Sequence, residues 1–151
     1  MKRALFVLCV SIIAFAGCSE KEPSPLGVTN GKLSPCPESP NCVASQSDDK
    51  KHFIAPFSYE GSLAEARESL AALIKSMRRA RIVTFKDDYI HAEFASRIFR
   101  FVDDVELFLD DKTKTIHLRS ASRVGYWDLG INRKRMETIR ALFEKKQSEE
   151  E

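Results

Sequence analysis

From Ile82 to Ser122 apolar residues recur at every second position in short runs joined by polar turns, and this period of two is what most restricts the fold. Ile82–Phe85 is followed by the turn-like Lys86-Asp87-Asp88; then Ile90, Ala92 and Phe94 alternate with Tyr89, His91 and Glu93. Arg97, Phe99 and Phe101 alternate with Ile98, Arg100 and Val102, and Val105, Leu107 and Leu109 make a further apolar face. Asp110-Asp111-Lys112 turns the chain, and Thr115–Ser122 answers with Ile116 and Leu118. Successive side chains of a strand point to opposite faces, so each run predicts a half-buried strand. Connections this short join antiparallel neighbours. The expectation is an antiparallel meander of about four to five strands, with Arg97–Leu109 as one bent strand or two.

A helical period flanks the meander on both sides. In Ser62–Arg79, Leu63, Ala66, Leu70, Leu73, Ile74 and Met77 share one face, and Ser62 with Glu65 forms a capping box. Arg78, Arg79 and Arg81 suit the negative end of that helix's dipole. A second helix is expected over Asn132–Lys146, with Asn132 as N-cap and Ile139, Leu142 and Phe143 on its buried face. Two helices packed on one face of an antiparallel sheet make an α+β fold. With 151 residues, 43% hydrophobic and 30% charged, the chain holds one soluble domain. Its expected extent is 35–146, followed by an acidic tail at 147–151.

The N-terminus has a different character. Lys2 and Arg3 precede a 13-residue apolar run, Ala4–Ala16. That is shorter than the ~20 residues a bilayer span needs but suits a secretion signal. The run closes on Phe15-Ala16-Gly17-Cys18, which resembles the lipobox of bacterial lipoproteins. The resemblance implies a signal peptide over 1–17, acylation of Cys18 and a stable anchor of more than one acyl chain. Ser19 after the cysteine, where an Asp would favour the inner membrane, implies the outer membrane of a bacterial envelope, facing the periplasm. A plain secretion signal is the alternative. Segment 18–34 is polar, broken by Pro23, Pro25, Gly27 and Gly31, and reads as a flexible tether. Removing Lys2 and Arg3 from the 24 basic residues leaves 22 against 22 acidic ones, a balance that gives no support to a nucleic-acid partner.

Cys36 and Cys42 remain as an even pair in an oxidising compartment, for which a disulfide is the default. Closing that seven-residue loop contributes about 2.4 kcal/mol on the chain-entropy estimate, less here because prolines already restrict the unfolded loop. Redox or metal use is the alternative, although the spacing is not C-x-x-C and no second close pair of Cys or His completes four ligands.

The densest run of functional residue types is Arg119–Arg135 (R-S-A-S-R-V-G-Y-W-D-L-G-I-N-R-K-R), a corner between the last strand and the last helix. Arg133, Lys134 and Arg135 fall in the helix's first turn, where the dipole disfavours cations by roughly 0.3–1 kcal/mol each. Two explanations stand. Carboxylates between Asp103 and Asp111, together with Asp128, pair with the arginines internally. Or Arg119, Arg123, Arg133 and Arg135, with Tyr126 as part of a pocket wall, hold an anionic ligand at the helix start.

Four ordered stretches, Cys36–Ser45 (C-P-E-S-P-N-C-V-A-S), His91–Phe94 (H-A-E-F), Phe101–Glu106 (F-V-D-D-V-E) and Arg119–Arg135, resemble the bacterial family catalogued as domain of unknown function 1499. The resemblance covers about Leu33 to Phe143 and implies a single envelope-associated domain without an assigned activity. No H-E-x-x-H, G-x-S-x-G or P-loop is present in the sequence. Three function classes are carried forward. The first is a non-catalytic, membrane-anchored module without a cofactor, binding an anionic small molecule or an envelope partner. The second is a metal-assisted hydrolase using His91, His117, Asp103 and Asp104. The third is a structural accessory subunit.

Overall fold

The computed structural model describes residues 25–150, so the expected signal peptide and Cys18 lie outside the described residues. The chain opens with a two-stranded hairpin, β1 (Val28–Thr29) and β2 (Lys32–Leu33), and continues through two short strands, β3 (Cys42–Ala44) and β4 (Phe57–Ser58). Helix α1 (Leu63–Ser76) follows, then the meander β5 (Ala80–Phe85), β6 (Tyr89–Ala95), β7 (Val102–Asp110) and β8 (Thr115–Ser122), and finally helix α2 (Ile131–Glu150). The large sheet has the order β3-β8-β7-β6-β5, antiparallel throughout, with β4 pairing further along the free edge of β8. This is the expected α+β architecture, with six strands in the sheet.

The helices cover one face. Helix α1 begins at the capping box: Ser62 Oγ accepts from the Glu65 N–H, and Glu65 Oε2 accepts from the Ser62 N–H. Its Ala66, Leu70, Ala71 and Ile74 and the α2 residues Met136, Ile139 and Phe143 close over Ile90, Ala92, Val105, Leu107, Leu109, Ile116 and Leu118. Each of these is buried; a fully buried Leu or Ile contributes ~1.5–3 kcal/mol relative to exposure, so this face dominates stability.

The opposite face is also covered. Tyr89, His91, Asp104, Glu106 and Arg119 point away from the helices, by the strand alternation and registers, yet each is buried. What lies over them is the N-terminal segment. The Gly27 N–H donates to Glu106 Oε1 at 2.7 Å, Leu33 is buried, and the Cys36–Cys42 disulfide ties the loop leading into β3 at the sheet edge. Within the stretch 18–34, Val28–Thr29 and Lys32–Leu33 form the hairpin β1–β2.

Three expectations are corrected. Arg97–Phe101 is a tight loop rather than a strand: the Ser96 N–H donates to the Phe101 carbonyl, the Phe101 N–H to Ser96 Oγ, and Arg100 turns at φ +59°. Its alternating apolar and cationic residues imitate a strand, but both sets face solvent. Asn132 is not an N-cap. The helix starts one residue earlier, and Asn132, wholly buried, spends its side chain on tertiary contacts. Residues 147–150 are helical, with Gln147 Oε1 accepting from the Glu60 N–H near the start of α1.

Candidate functional site

The charged residues of the meander fall into rows across the covered sheet face, because residues opposed in an antiparallel ladder share a face. One row is His91, Glu106 and Arg119; the next is Glu93 and Asp104. Glu106 is fully buried and saturated. Oε2 accepts from Arg119 Nη1 at 2.9 Å, and Oε1 from Tyr89 Oη and Gly27 N, both at 2.7 Å. Burial first, and the phenol's hydrogen bond to the Glu106 carboxylate second, push the Tyr89 hydroxyl well above its ordinary value, so it stays a donor. Arg119 is 1% exposed; its Nε and Nη2 meet no hydrogen-bond partner among the described residues.

Asp104 anchors the second row. His91 Nε2 lies 2.8 Å from Oδ1, and Arg123 donates bidentately, Nε to Oδ2 at 2.9 Å and Nη2 to Oδ1 at 2.8 Å. An ionised carboxylate only accepts, so His91 Nε2 carries its proton here. Burial alone would raise the Asp104 carboxyl, but the His91 and Arg123 bonds outweigh it and hold the group at about 2. Glu93 is lowered in the same way: burial opposes, and hydrogen bonds from Arg81 at 2.6 Å and Arg123 at 2.7 Å prevail. Arg123 is raised in return, chiefly by its bond to Asp104.

Arg135 lies on the other side of the sheet, reaching in from α2. Nη2 bonds Asp103 Oδ2 at 2.5 Å, Nη1 bonds Asn132 Oδ1 at 2.7 Å, and the guanidinium stacks over Phe94 at 4.9 Å. Asp128 caps the corner: it accepts from Gly130 N and Asn132 N, both at 2.9 Å, and from Asn132 Nδ2 at 2.8 Å. A carboxylate at this position offsets the three cations of the first turn. Asn132 Nδ2 also donates to the Asn41 carbonyl and to Ser122 Oγ, both at 3.0 Å, which joins corner, sheet and disulfide loop.

The residues proposed for a ligand thus do not converge. Arg119 and Arg123 lie on the covered face, Arg135 on the helix side, Arg133 bonds the Lys51 carbonyl at 3.1 Å, and Tyr126 stands in solvent. Asp103 pairs with Arg135 and Asp104 with Arg123, whereas Asp128 accepts from the start of α2 instead of from an arginine. The hydrolase set is also divided: His117 stacks on Phe108 with its Nδ1 3.4 Å from Ser45 Oγ, one row beyond Glu106, and burial lowers its pKa. Among the described residues, no three His, Cys, Asp or Glu side chains are grouped as metal ligands would be. No helix of the described residues is long and apolar enough to cross a membrane.

Sequence reasoning placed Glu93 beside His91 on one strand face but did not single out Tyr89 or Gly27, nor Glu106 as the central carboxylate. A signal existed: Tyr89, His91 and Glu93 repeat at period two, as do Asp104 and Glu106, and Arg119 and Arg123 stand on the strand that follows.

An α+β domain whose second sheet face carries a buried ladder of ion pairs under a disulfide-tied cover defines the class. The chain belongs to the family described as protein of unknown function (DUF1499), whose pattern matches residues 32–143. No curated protein and no solved structure matches it.

Proposed function

We propose that the protein is an envelope lipoprotein anchored through Cys18, with a non-catalytic domain that works by presenting a surface to an envelope partner. The observation that carries the choice of partner over small ligand is the commitment of Arg119, Arg123 and Arg135 to Glu106, Asp104 and Asp103. An anion bridging these arginines would have to displace the carboxylates that hold Arg123 and Arg135, at the cost of leaving those carboxylates unpaired. The lipobox-like Phe15-Ala16-Gly17-Cys18 supports the anchor. Two measurements test the reading. Labelled palmitate should enter the wild type and not Cys18→Ser, which should leave the membrane fraction; equal labelling of both overturns the anchor. Sulfate and phosphate should leave the melting temperature and Trp127 emission unchanged.

A second reading has one observation in its favour. The unpartnered Nε and Nη2 of buried Arg119 leave two donor nitrogens for a small anion or an ordered water. A saturable rise in melting temperature with sulfate, and not with chloride at equal ionic strength, would favour the anion.

A further inference from the structure

We propose that one end of the sheet, built from the loops at 96–101 and 123–130, docks on the headgroup region of an anionic lipid bilayer. The inference rests on the reading of Cys18 as a lipid anchor and names the partner that the anchored domain faces.

Three connections meet at this end. The Arg123 N–H donates to the Val102 carbonyl at 3.1 Å, which places the exit of β8 beside the β6–β7 loop. Ala95 and Arg79 exchange backbone and side-chain bonds at 3.0 and 3.1 Å, which adds the α1–β5 corner. Here the domain exposes its largest apolar side chains: Ile98 is 77% exposed, Phe99 72%, Tyr126 74%, Trp127 68% and Leu129 71%. Phe99 and Phe101 stack at 5.5 Å, and beside the loops Met77, Phe94 and Ile131 line a shallow apolar depression of about 330 Å³. Scattered exposed apolar residues are ordinary on a soluble domain; five of this size on two adjoining loops mark an interaction surface.

Charge selects the partner. Arg78, Arg97, Arg100 and Lys134 are exposed around these loops and make no ion pair or side-chain hydrogen bond among the described residues. The nearby carboxylates are already engaged, Asp103 and Asp104 with arginines and Asp128 with the start of α2. The end therefore combines unneutralised cations with Phe, Tyr and Trp, the pattern that suits an anionic bilayer surface, where aromatic rings lie at headgroup depth and Lys or Arg reach the phosphates. The opposite end of the sheet mixes Asp87, Asp88, Asp110 and Asp111 with Lys86, Lys112 and Lys114, and pairs Asp87 with Arg67 and Asp111 with Lys114, so it offers no comparable set of unneutralised cations.

The tether allows this orientation. Six residues separate Cys18 from the first described residue, Pro25, and the seven Cα–Cα steps between the two span at most ~25 Å. Gly27 is held at Glu106, four residues along β7 from its start at Val102, which is roughly 13 Å. An anchored domain is thus confined to within reach of the membrane with this end able to touch it.

Trp127 is the chain's single tryptophan and sits in the proposed contact, so the full acylated chain reports on itself. It would be reconstituted in vesicles of phosphatidylethanolamine and phosphatidylglycerol, with and without brominated acyl chains. The expected result is blue-shifted Trp127 emission, quenching by the brominated lipid, and loss of most of that quenching in R97E/R100E and in phosphatidylcholine vesicles. Vesicle-bound protein whose Trp127 stays unquenched and open to acrylamide overturns the docking and leaves the anchor standing. Equal quenching of wild type and R97E/R100E overturns the anionic partner, and Trp127 protection that follows protein concentration without lipid assigns the surface to a second copy instead. Should Cys18 carry no lipid, the anchor reading falls, and the same quenching of unacylated chain added to the vesicles decides the docking alone.

Discussion

Two sets of arginines in this domain look alike in sequence and behave oppositely in the fold. Arg119, Arg123 and Arg135 each meet a carboxylate within 3 Å, whereas Arg78, Arg97 and Arg100 meet none among the described residues. The paired set stands on β8, at its exit and in the first turns of α2, where the meander's register brings Glu106, Asp104 and Asp103 alongside. The unpaired set stands on turns, where no neighbouring strand supplies a partner. Local charge density is therefore a poor guide to a site, and ladder register decides which cations are spent on the fold.

Breaking the most buried pair should give the largest effect. Arg119→Met leaves Glu106 charged and uncompensated, so urea unfolding should show a loss of about 3–5 kcal/mol. The double variant Arg119→Met/Glu106→Gln removes both charges and should recover most of it. If the single variant costs under ~1 kcal/mol, Glu106 and Arg119 contribute no more than a surface pair, and the division collapses.

Next in size is the cover over the same face. Reducing Cys36–Cys42 frees the loop that joins Asn41 to Asn132 and Ser122, and should cost up to about 2.4 kcal/mol by denaturant titration with and without reductant. Arg135→Leu should cost roughly 1–3 kcal/mol, since Asp103 and Asn132 each lose a charged donor.

Acid should separate the sets by another route. The Asp104 carboxyl is held at about 2 against an ordinary 3.8, a depressed folded-state value. Its contribution is thus fully present above pH 3.8 and is lost as pH falls from there through 2, with Glu93 acting in the same direction. Asp104→Asn should flatten the stability profile in that window. A profile equally steep in the variant would assign acid lability to other groups.

Much of the frame was legible. The capping box of α1, the meander from β5 to β8 and the Cys36–Cys42 pairing follow from local rules that tertiary structure had no cause to override. Strands β3 and β4 were not, because three and two residues are too few to show a period, and their pairing with β8 is set by contacts 57 to 79 residues apart. The covered second face was hidden for a related reason. His91 and Glu93 look like solvent-facing residues of a half-buried strand until a remote hairpin places Gly27 on Glu106. Asn132 reads as a cap because its side chain suits one, but its partners Asn41 and Ser120 come from elsewhere in the chain.

The smallest expected effect tests the other side of the comparison. Phe99→Ser and Trp127→Ser remove large apolar side chains, and in a core such changes cost about 3–5 kcal/mol. Here both residues stand more than two-thirds in solvent, so little apolar area returns to water on unfolding. Each variant should stay within about 0.5 kcal/mol of wild type by denaturant titration in lipid-free solution. Phe94→Ala, a few residues from Phe99 but buried against Arg135 and the core, should cost several times more. A large loss at Phe99 would mean that the loop packs on the domain in solution, and its aromatics would then belong to the fold and not to a surface kept for a partner.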